Sequence, residues 1–257
     1  MPAESPSGGT AVAEPGPPPA ASDLEARVLA GPLLRAWERA FHLLDQLLGG
    51  VLPERLNPFL HTGEVAVTAL LVATASGILL LFWYRPSLHQ AFSSVAAMGA
   101  DPWRSGLLRS LHRYGSDVAM FFTLVHALRV FLERRFAGPR WLAWVTGVTA
   151  VAALWFIGWT GYWLVWDTRA HAVAAGTARV LDVLPVFADP MGRSLLVDSA
   201  LNSLLFFVVF FVHMLVPLLV TVLLLLHLAR LARAKWITSN PLTVWTLGVL
   251  VALAVAW

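Results

Sequence analysis

Four long stretches of the chain lose nearly all their charge, and polar segments divide them. The first runs from about Glu64 to Tyr84 and closes at Arg85-Pro86. The second starts at Arg109, turns strongly apolar after Asp117 and ends near Leu132. The third covers about Trp141–Trp166 and the fourth about Leu201–Leu228. At 1.5 Å of rise per residue each can cross the ~30 Å hydrocarbon layer of a bilayer as a helix. A final run, Pro241–Trp257, has 17 residues, the lower limit for a span, which leaves a fifth transmembrane segment open.

Ahead of these, Leu24, Val28, Leu29, Leu33, Leu34, Trp37, Phe41, Leu44 and Leu48 recur at helical spacing over residues 23–50. Asp23 can cap the helix, and Arg27, Arg35, Glu38, Arg39 and Asp45 fill much of the other face. This pattern reads as an amphipathic helix lying on the membrane surface, or equally as one packing on a partner subunit. Gly49, Gly50, Pro53 and Pro58 end it. Residues 1–22 are rich in Pro, Gly, Ala and Ser and read as a disordered tail. The expected organisation is therefore a tail over 1–22, a surface helix over 23–50, a transmembrane domain over 51–236 and the open fifth segment over 237–257. About 25 residues connect the first two spans, and residues 167–198 read as a loop.

Composition agrees with an all-α integral membrane protein. The chain has 257 residues, 58% hydrophobic and 13% charged, with a mean hydropathy of +0.70; a soluble domain carries about 25% charge. Many of the 12 Trp sit near the ends of apolar runs, as interfacial anchors against lipid do. A net charge of +3, without a basic groove, argues against nucleic acid. No cysteine is present, which excludes thiolate chemistry, iron–sulfur ligation and covalently attached c-type haem. The N-terminus lacks the apolar core of a signal peptide.

Charge also orients the spans. Arg134, Arg135 and Arg140 follow the second span, and Arg230, Arg233 and Lys235 follow the fourth. The positive-inside rule makes that side cytoplasmic, and the N-terminus falls with it. The 167–198 segment, with Asp167, Asp182, Asp189 and Asp198 against Arg169, Arg179 and Arg193, falls outside. The first connector runs against the rule: Arg85, Arg104, Arg109 and Arg113 stand on the outer side against Asp101.

The candidate chemistry lies in the spans. His112 and His126 are 14 residues apart in the second, and His213 and His227 are 14 apart in the fourth. Fourteen residues are close to four helical turns and roughly 21 Å, so each pair shares a face and stands near opposite sides of the membrane. Both helices run the same way, which pairs His112 with His213 and His126 with His227. Two imidazoles facing each other at two depths are what two six-coordinate haems require, one neutral nitrogen on each side of each iron. With both axial positions filled by protein, the expected chemistry is electron transfer. The first span carries Gly63 and Gly77, and the third Gly147 and Gly161, again 14 apart. Glycine there clears room for a bulky planar group against the backbone. His42, His61, His89 and His171 lie outside the apolar cores and read as surface residues.

The stretches RSLHRYGSDVAMFFTLVHALRVFL, GPRWLAWVTGV and TGYWLVWD, with WYRPS after the first span and His213-x-x-x-Pro217, resemble the haem-bearing N-terminal half of the cytochrome b family. The resemblance covers about residues 23–236. It implies a four-helix bundle enclosing two non-covalent b haems, ligated as above, and a subunit of a quinol–cytochrome c or plastoquinol–plastocyanin oxidoreductase. It implies haem-propionate contacts at Arg109 and Arg129, with Arg113 a further candidate, which would also account for the positive outer connector. For Arg129, anchoring at the interface is the competing reading.

The departures are specific. Val165 stands where the family often has Pro, and Val208 where it often has Arg. No Pro-Glu-Trp-Tyr motif occurs. Its absence fits either a split design, with a separate C-terminal cytochrome b-type subunit and a Rieske or cytochrome c partner, or a complex that does not bifurcate electrons. The resulting reading is a diheme electron conduit in an energy-transducing inner membrane, fed by the quinone pool. Homodimerisation is a family expectation. The rivals are a diheme subunit of another quinone-linked dehydrogenase or reductase, and a membrane anchor that has lost its haem.

Overall fold

The computed structural model describes residues 31–136, 140–183, 203–229 and 241–256. The expected tail over 1–22, the first turns of the surface helix, the cluster Asp189, Arg193 and Asp198, and the bases Arg230, Arg233 and Lys235 lie outside the described residues. The described chain is helical: α1 (Pro32–Gly49), α2 (Thr62–Leu80), α3 (Ala91–Gly99), α4 (Leu107–Leu132), α5 (Trp141–Val165), α6 (Thr168–Val183), α7 (Ser203–Ala229) and α8 (Pro241–Val255). Four of these, α2, α4, α5 and α7, are long and apolar enough to cross a membrane. The chain is a multi-pass membrane protein built as a helical bundle.

The bundle forms from two tight pairs, α2 with α4 and α5 with α7, and α4 also meets α5. Small residues bring the first pair together. A Cβ on Gly115 would sit 3.2 Å from both the Ala69 carbonyl oxygen and the Ala73 nitrogen. Ala69 and Ala119 are fully buried at the same crossing. Lipid tails are as apolar as leucine, so close van der Waals packing of this kind drives association between such helices. The last apolar run forms α8, which packs along α2 and α4 through Leu250 against Ala69 and Ala119. At 15 residues it is the shortest of the apolar helices.

Two stretches expected as connectors are helical. The connector after the first span holds α3, and a π-helical turn at Pro102–Gly106 runs directly into α4. The 167–198 segment starts with α6, which presses the fully buried Ala170 and Ala174 inward. Asp167, counted above among outer-loop charges, accepts a hydrogen bond from the Ala170 amide at 2.8 Å and so caps the first turn of α6. Small alanines and scattered charges give α6 a weak apolar stripe, which is why its sequence reads as loop.

Turns at the two ends of the bundle are tightly specified. Between α5 and α6, Trp166 takes a left-handed conformation, φ 53°. That is an unusual conformation for a bulky residue, and packing holds it: the buried ring lies against His171, with centroids 4.1 Å apart, and against Phe206. Tyr84 braces the same end by donating its hydroxyl to the Leu164 carbonyl at 2.8 Å, and burial raises its pKa, keeping the phenol protonated. At the other end, Arg134 is left-handed, φ 54°. The Arg135 amide donates to Val130 O and the Arg134 amide to Phe131 O, both at 3.0 Å. This is a Schellman cap, and it sends the chain after α4 back across the bundle.

Candidate functional site

α4 and α7 run in the same direction, and each carries its two histidines inward. His112 and His213 face each other with ring centroids 6.3 Å apart and planes 75° apart. His126 and His227 line one cavity of about 480 Å³ that opens between the helices. The structure therefore brings together the two pairs expected from spacing. Among the described residues no three metal-ligating side chains cluster; at each level they offer two imidazoles.

The hydrogen bonds decide which ring nitrogen is free. His112 Nδ1 lies 2.7 Å from the Ala73 carbonyl oxygen, and His213 Nδ1 lies 3.1 Å from that of Ile157. A carbonyl only accepts, so both nitrogens carry the proton. Thr146 Oγ1 donates to the Leu142 and Ala143 carbonyls at 2.9 and 3.0 Å, which leaves its lone pair to accept from His227 Nδ1 at 3.1 Å. His126 Nδ1 pairs with Thr62 Oγ1, also at 3.1 Å. At His112, His213 and His227 the proton is thus on Nδ1 and the Nε2 lone pair is available to a metal; His126 has the same arrangement when Thr62 accepts.

The four glycines face these rings one to one. A Cβ on Gly77 would lie 2.9 Å from His112 Cε1, and one on Gly161 would lie 3.0 Å from His213 Cε1. At the other level, a Cβ on Gly63 would stand 3.3 Å from His126 Cε1 and one on Gly147 3.3 Å from His227 Cε1. The space expected for a planar cofactor is thus used first by the imidazoles, which lie flush on the neighbouring helix and reach its carbonyls and hydroxyls.

The arginines divide differently from the expectation. Arg129 spends its donors within the protein: on Asp45 at 2.7 and 3.1 Å, on Glu133 at 2.8 Å and on the Phe59 carbonyl at 2.6 Å. It clasps α1 and the entry to α2 onto α4. Arg135 and Arg140 line the cavity beside His126 and His227, whereas in the sequence they signal topology alone. Arg109 lines a separate recess of about 210 Å³ against Trp103 and the end of α8, and Arg113 is exposed. Of the other histidines, His61 is half-buried, 3.7 Å from the Glu64 carboxylate, and His171 lies on Trp166; His42 and His89 are exposed. Thr62, Thr146 and Thr160 also escaped sequence reasoning. The signal was there: each precedes one of the glycines.

The donors suit haem. An imidazole–metal bond is about 2 Å, so two rings that held one metal between them would stand with centroids roughly 6 Å apart; His112 and His213, at 6.3 Å, are spaced accordingly. Two imidazoles at each level, with no third ligand among the described residues, suit a metal whose remaining positions a macrocycle fills. Comparison with known proteins points the same way. The chain is similar to a chain of a hyperthermophilic respiratory Complex III, with a TM-score of 0.61 and 18% identity. The match covers 85% of this chain and 66% of that one. At that identity the likeness concerns the fold alone. The cytochrome b/b6/petB family matches over residues 47–235, a range that holds all four histidines and all four glycines: the chain belongs to the cytochrome b family.

Proposed function

We propose that this chain is a diheme electron conduit, a subunit of a quinol-oxidising complex of the bc type. The observation that carries the reading is the facing of four imidazoles in two pairs, with Nδ1 engaged by the neighbouring helix and Nε2 free. His112 and His213 would hold one b haem, and His126 and His227 the other. When bound, each haem supplies a one-electron carrier that cycles between ferric and ferrous iron.

The protein's own share is positioning. Helices α2 and α5 fix the four rings, and the apolar walls keep water from the irons, which lowers the reorganisation that electron transfer must overcome. Arg135 and Arg140 supply positive charge at the mouth of the inner cavity, where haem carboxylates would emerge. In the orientation set by the positive loops, α1 lies on the cytoplasmic side of an energy-transducing membrane, and an electron passing from the outer to the inner pair moves inward. Such charge movement is worth roughly 2.3 kcal/mol per 100 mV, which couples redox chemistry to proton motive force. Quinol is the electron source in this reading. A C-terminal cytochrome b-type subunit, with a Rieske or cytochrome c partner, would complete the sites this chain lacks, and α8 would stand as a fifth helix beside the bundle.

A reduced-minus-oxidised spectrum with haem quantitation on the purified chain tests the reading. Two b-type haems per chain are expected; none defeats it.

A further inference from the structure

Each of the four ring-facing glycines follows a hydroxyl residue: Thr62-Gly63, Ser76-Gly77, Thr146-Gly147 and Thr160-Gly161. The hydroxyls therefore share the 14-residue period, one position ahead of the glycines. Three of them touch a histidine, and the distances agree: Thr62 to His126 Nδ1, Thr146 to His227 Nδ1 and Thr160 to His213 Nδ1, all 3.1 Å. The fourth acts at one remove. Ser76 Oγ donates to the Ala73 carbonyl at 3.1 Å, the same carbonyl that accepts from His112 Nδ1.

We infer that each hydroxyl–glycine dipeptide is a seat for one imidazole, and that Thr62, Thr146 and Thr160 are positioning residues that fix the Nδ1 tautomer and set the electron-donating strength of Nε2. The inference rests on the diheme reading above. Its physics is general. A histidine that donates its Nδ1 proton to an acceptor becomes more basic at Nε2. A more basic ligand favours ferric over ferrous iron and so lowers the reduction potential of the site. Helix geometry explains the pairing of residue types. Thr146 and Thr160 bond back to their own carbonyls at Leu142 and Ala143, and at Phe156 and Ile157. This orients a lone pair outward, and the glycine that follows lets the ring come close enough to use it. The levels also differ. His112 rests on a carbonyl alone at 2.7 Å and His126 on a hydroxyl, whereas His213 and His227 each rest on a carbonyl plus a hydroxyl. The two sites are therefore tuned separately.

The test is a redox titration of the full chain, in its membrane complex, carrying Thr146→Val. Valine keeps the shape and removes the hydroxyl acceptor, which leaves His227 Nδ1 only the Ala143 carbonyl. The inner haem is expected to rise in midpoint potential by about 59 mV, a tenfold change in its one-electron equilibrium, while the outer haem stays put. Thr146→Ser restores the hydroxyl and is expected to restore the potential. An unchanged inner midpoint in a haem-replete Thr146→Val protein overturns the inference and leaves the diheme reading standing. Should Thr146→Val lose its haem, Thr146→Ala serves in its place: an unchanged midpoint there overturns the inference, and a raised one supports it. A wild-type chain without haem defeats the diheme reading itself.

Discussion

His112 and His213 are 101 residues apart in the chain, yet their rings stand 6.3 Å apart with the planes 75° apart. Each ring is held by a different neighbour, Ala73 on α2 and Ile157 on α5. The two histidines act as one site, so removing either has the same consequence. His112→Ala and His213→Ala are each expected to lose one haem, and the same one. His126→Ala and His227→Ala are expected to lose the other. Spectra of the four variants, which distinguish the two haems by their band positions and potentials, check this; any other grouping of the phenotypes overturns the pairing.

The glycines predict a graded series. A methyl group at Gly77 or Gly161 meets a ring at 2.9–3.0 Å, whereas at Gly63 or Gly147 it meets one at 3.3 Å. At Gly77 the 2.9 Å contact forces the ring to move, at Gly161 the 3.0 Å contact lies at the edge of that range, and overpacking costs about 1–3 kcal/mol. Gly77→Ala and Gly161→Ala are therefore expected to perturb the outer site strongly. Gly63→Ala and Gly147→Ala are expected to leave the inner haem in place with a modest spectral shift. Haem content and line shape of the four proteins provide the measurement.

Which histidines face each other was legible because a period of 14 is close to a whole number of helical turns, and parallel helices leave few other pairings. The glycine period was legible too, but its use was not. Spacing shows that a face is cleared, and only coordinates show that His112 and its counterparts lie in the clearing. α6 was hidden because alanines at 170 and 174 carry its packing, and alanine is a weak signal of a buried face. The resemblance implies a cofactor contact at Arg129, with interfacial anchoring as the competing reading. Its partners, Asp45 and the Phe59 carbonyl, lie more than 60 residues upstream, beyond any local pattern.

That clasp makes its own prediction. Arg129 and Asp45 are only 17% and 19% exposed, and the pair is bidentate. Breaking a fully buried pair costs about 3–5 kcal/mol; here Arg129 keeps Glu133 and the Phe59 carbonyl and solvent screens the site, which lowers the loss to about 1–3 kcal/mol. Asp45→Ala is expected to loosen α1 and lower the thermal midpoint while both haems remain. Limited proteolysis of α1, with haem content as the control, reports it. Haem loss in Asp45→Ala without faster cleavage of α1 would mean that Arg129 serves the cofactor instead.

The turn after α4 predicts a gain. Arg134 occupies the left-handed position of the Schellman cap, where glycine is free of the Cβ penalty of about 1 kcal/mol. The Arg134 side chain has no ion pair among those found at this turn, which join Arg129 and Arg135 to Glu133. Arg134→Gly is expected to raise the melting temperature slightly in detergent and to leave both spectra unchanged. Arg134→Val, which adds β-branching in the same conformation, is expected to lower it. If the two substitutions move stability in the same direction, the cap is not what holds this turn.

Pro217 lies inside α7, four residues after His213. A proline there has no amide proton to give to the His213 carbonyl, and its ring crowds that oxygen. The helix must open locally at the residue that carries the outer imidazole, while His227, further along, sits in regular helix. Pro217→Ala restores the missing bond, so on helix propensity alone it should stabilise α7 by up to about 3 kcal/mol. It should also turn His213 relative to Thr160 and the Ile157 carbonyl, its two acceptors. The expected result is a protein that is more heat-stable yet has an altered outer-haem spectrum and potential, with the inner haem unaffected. Thermal unfolding and a redox titration of the same preparation decide it. A stabilised protein with an unaltered outer haem would show that Pro217 does not aim the ligand.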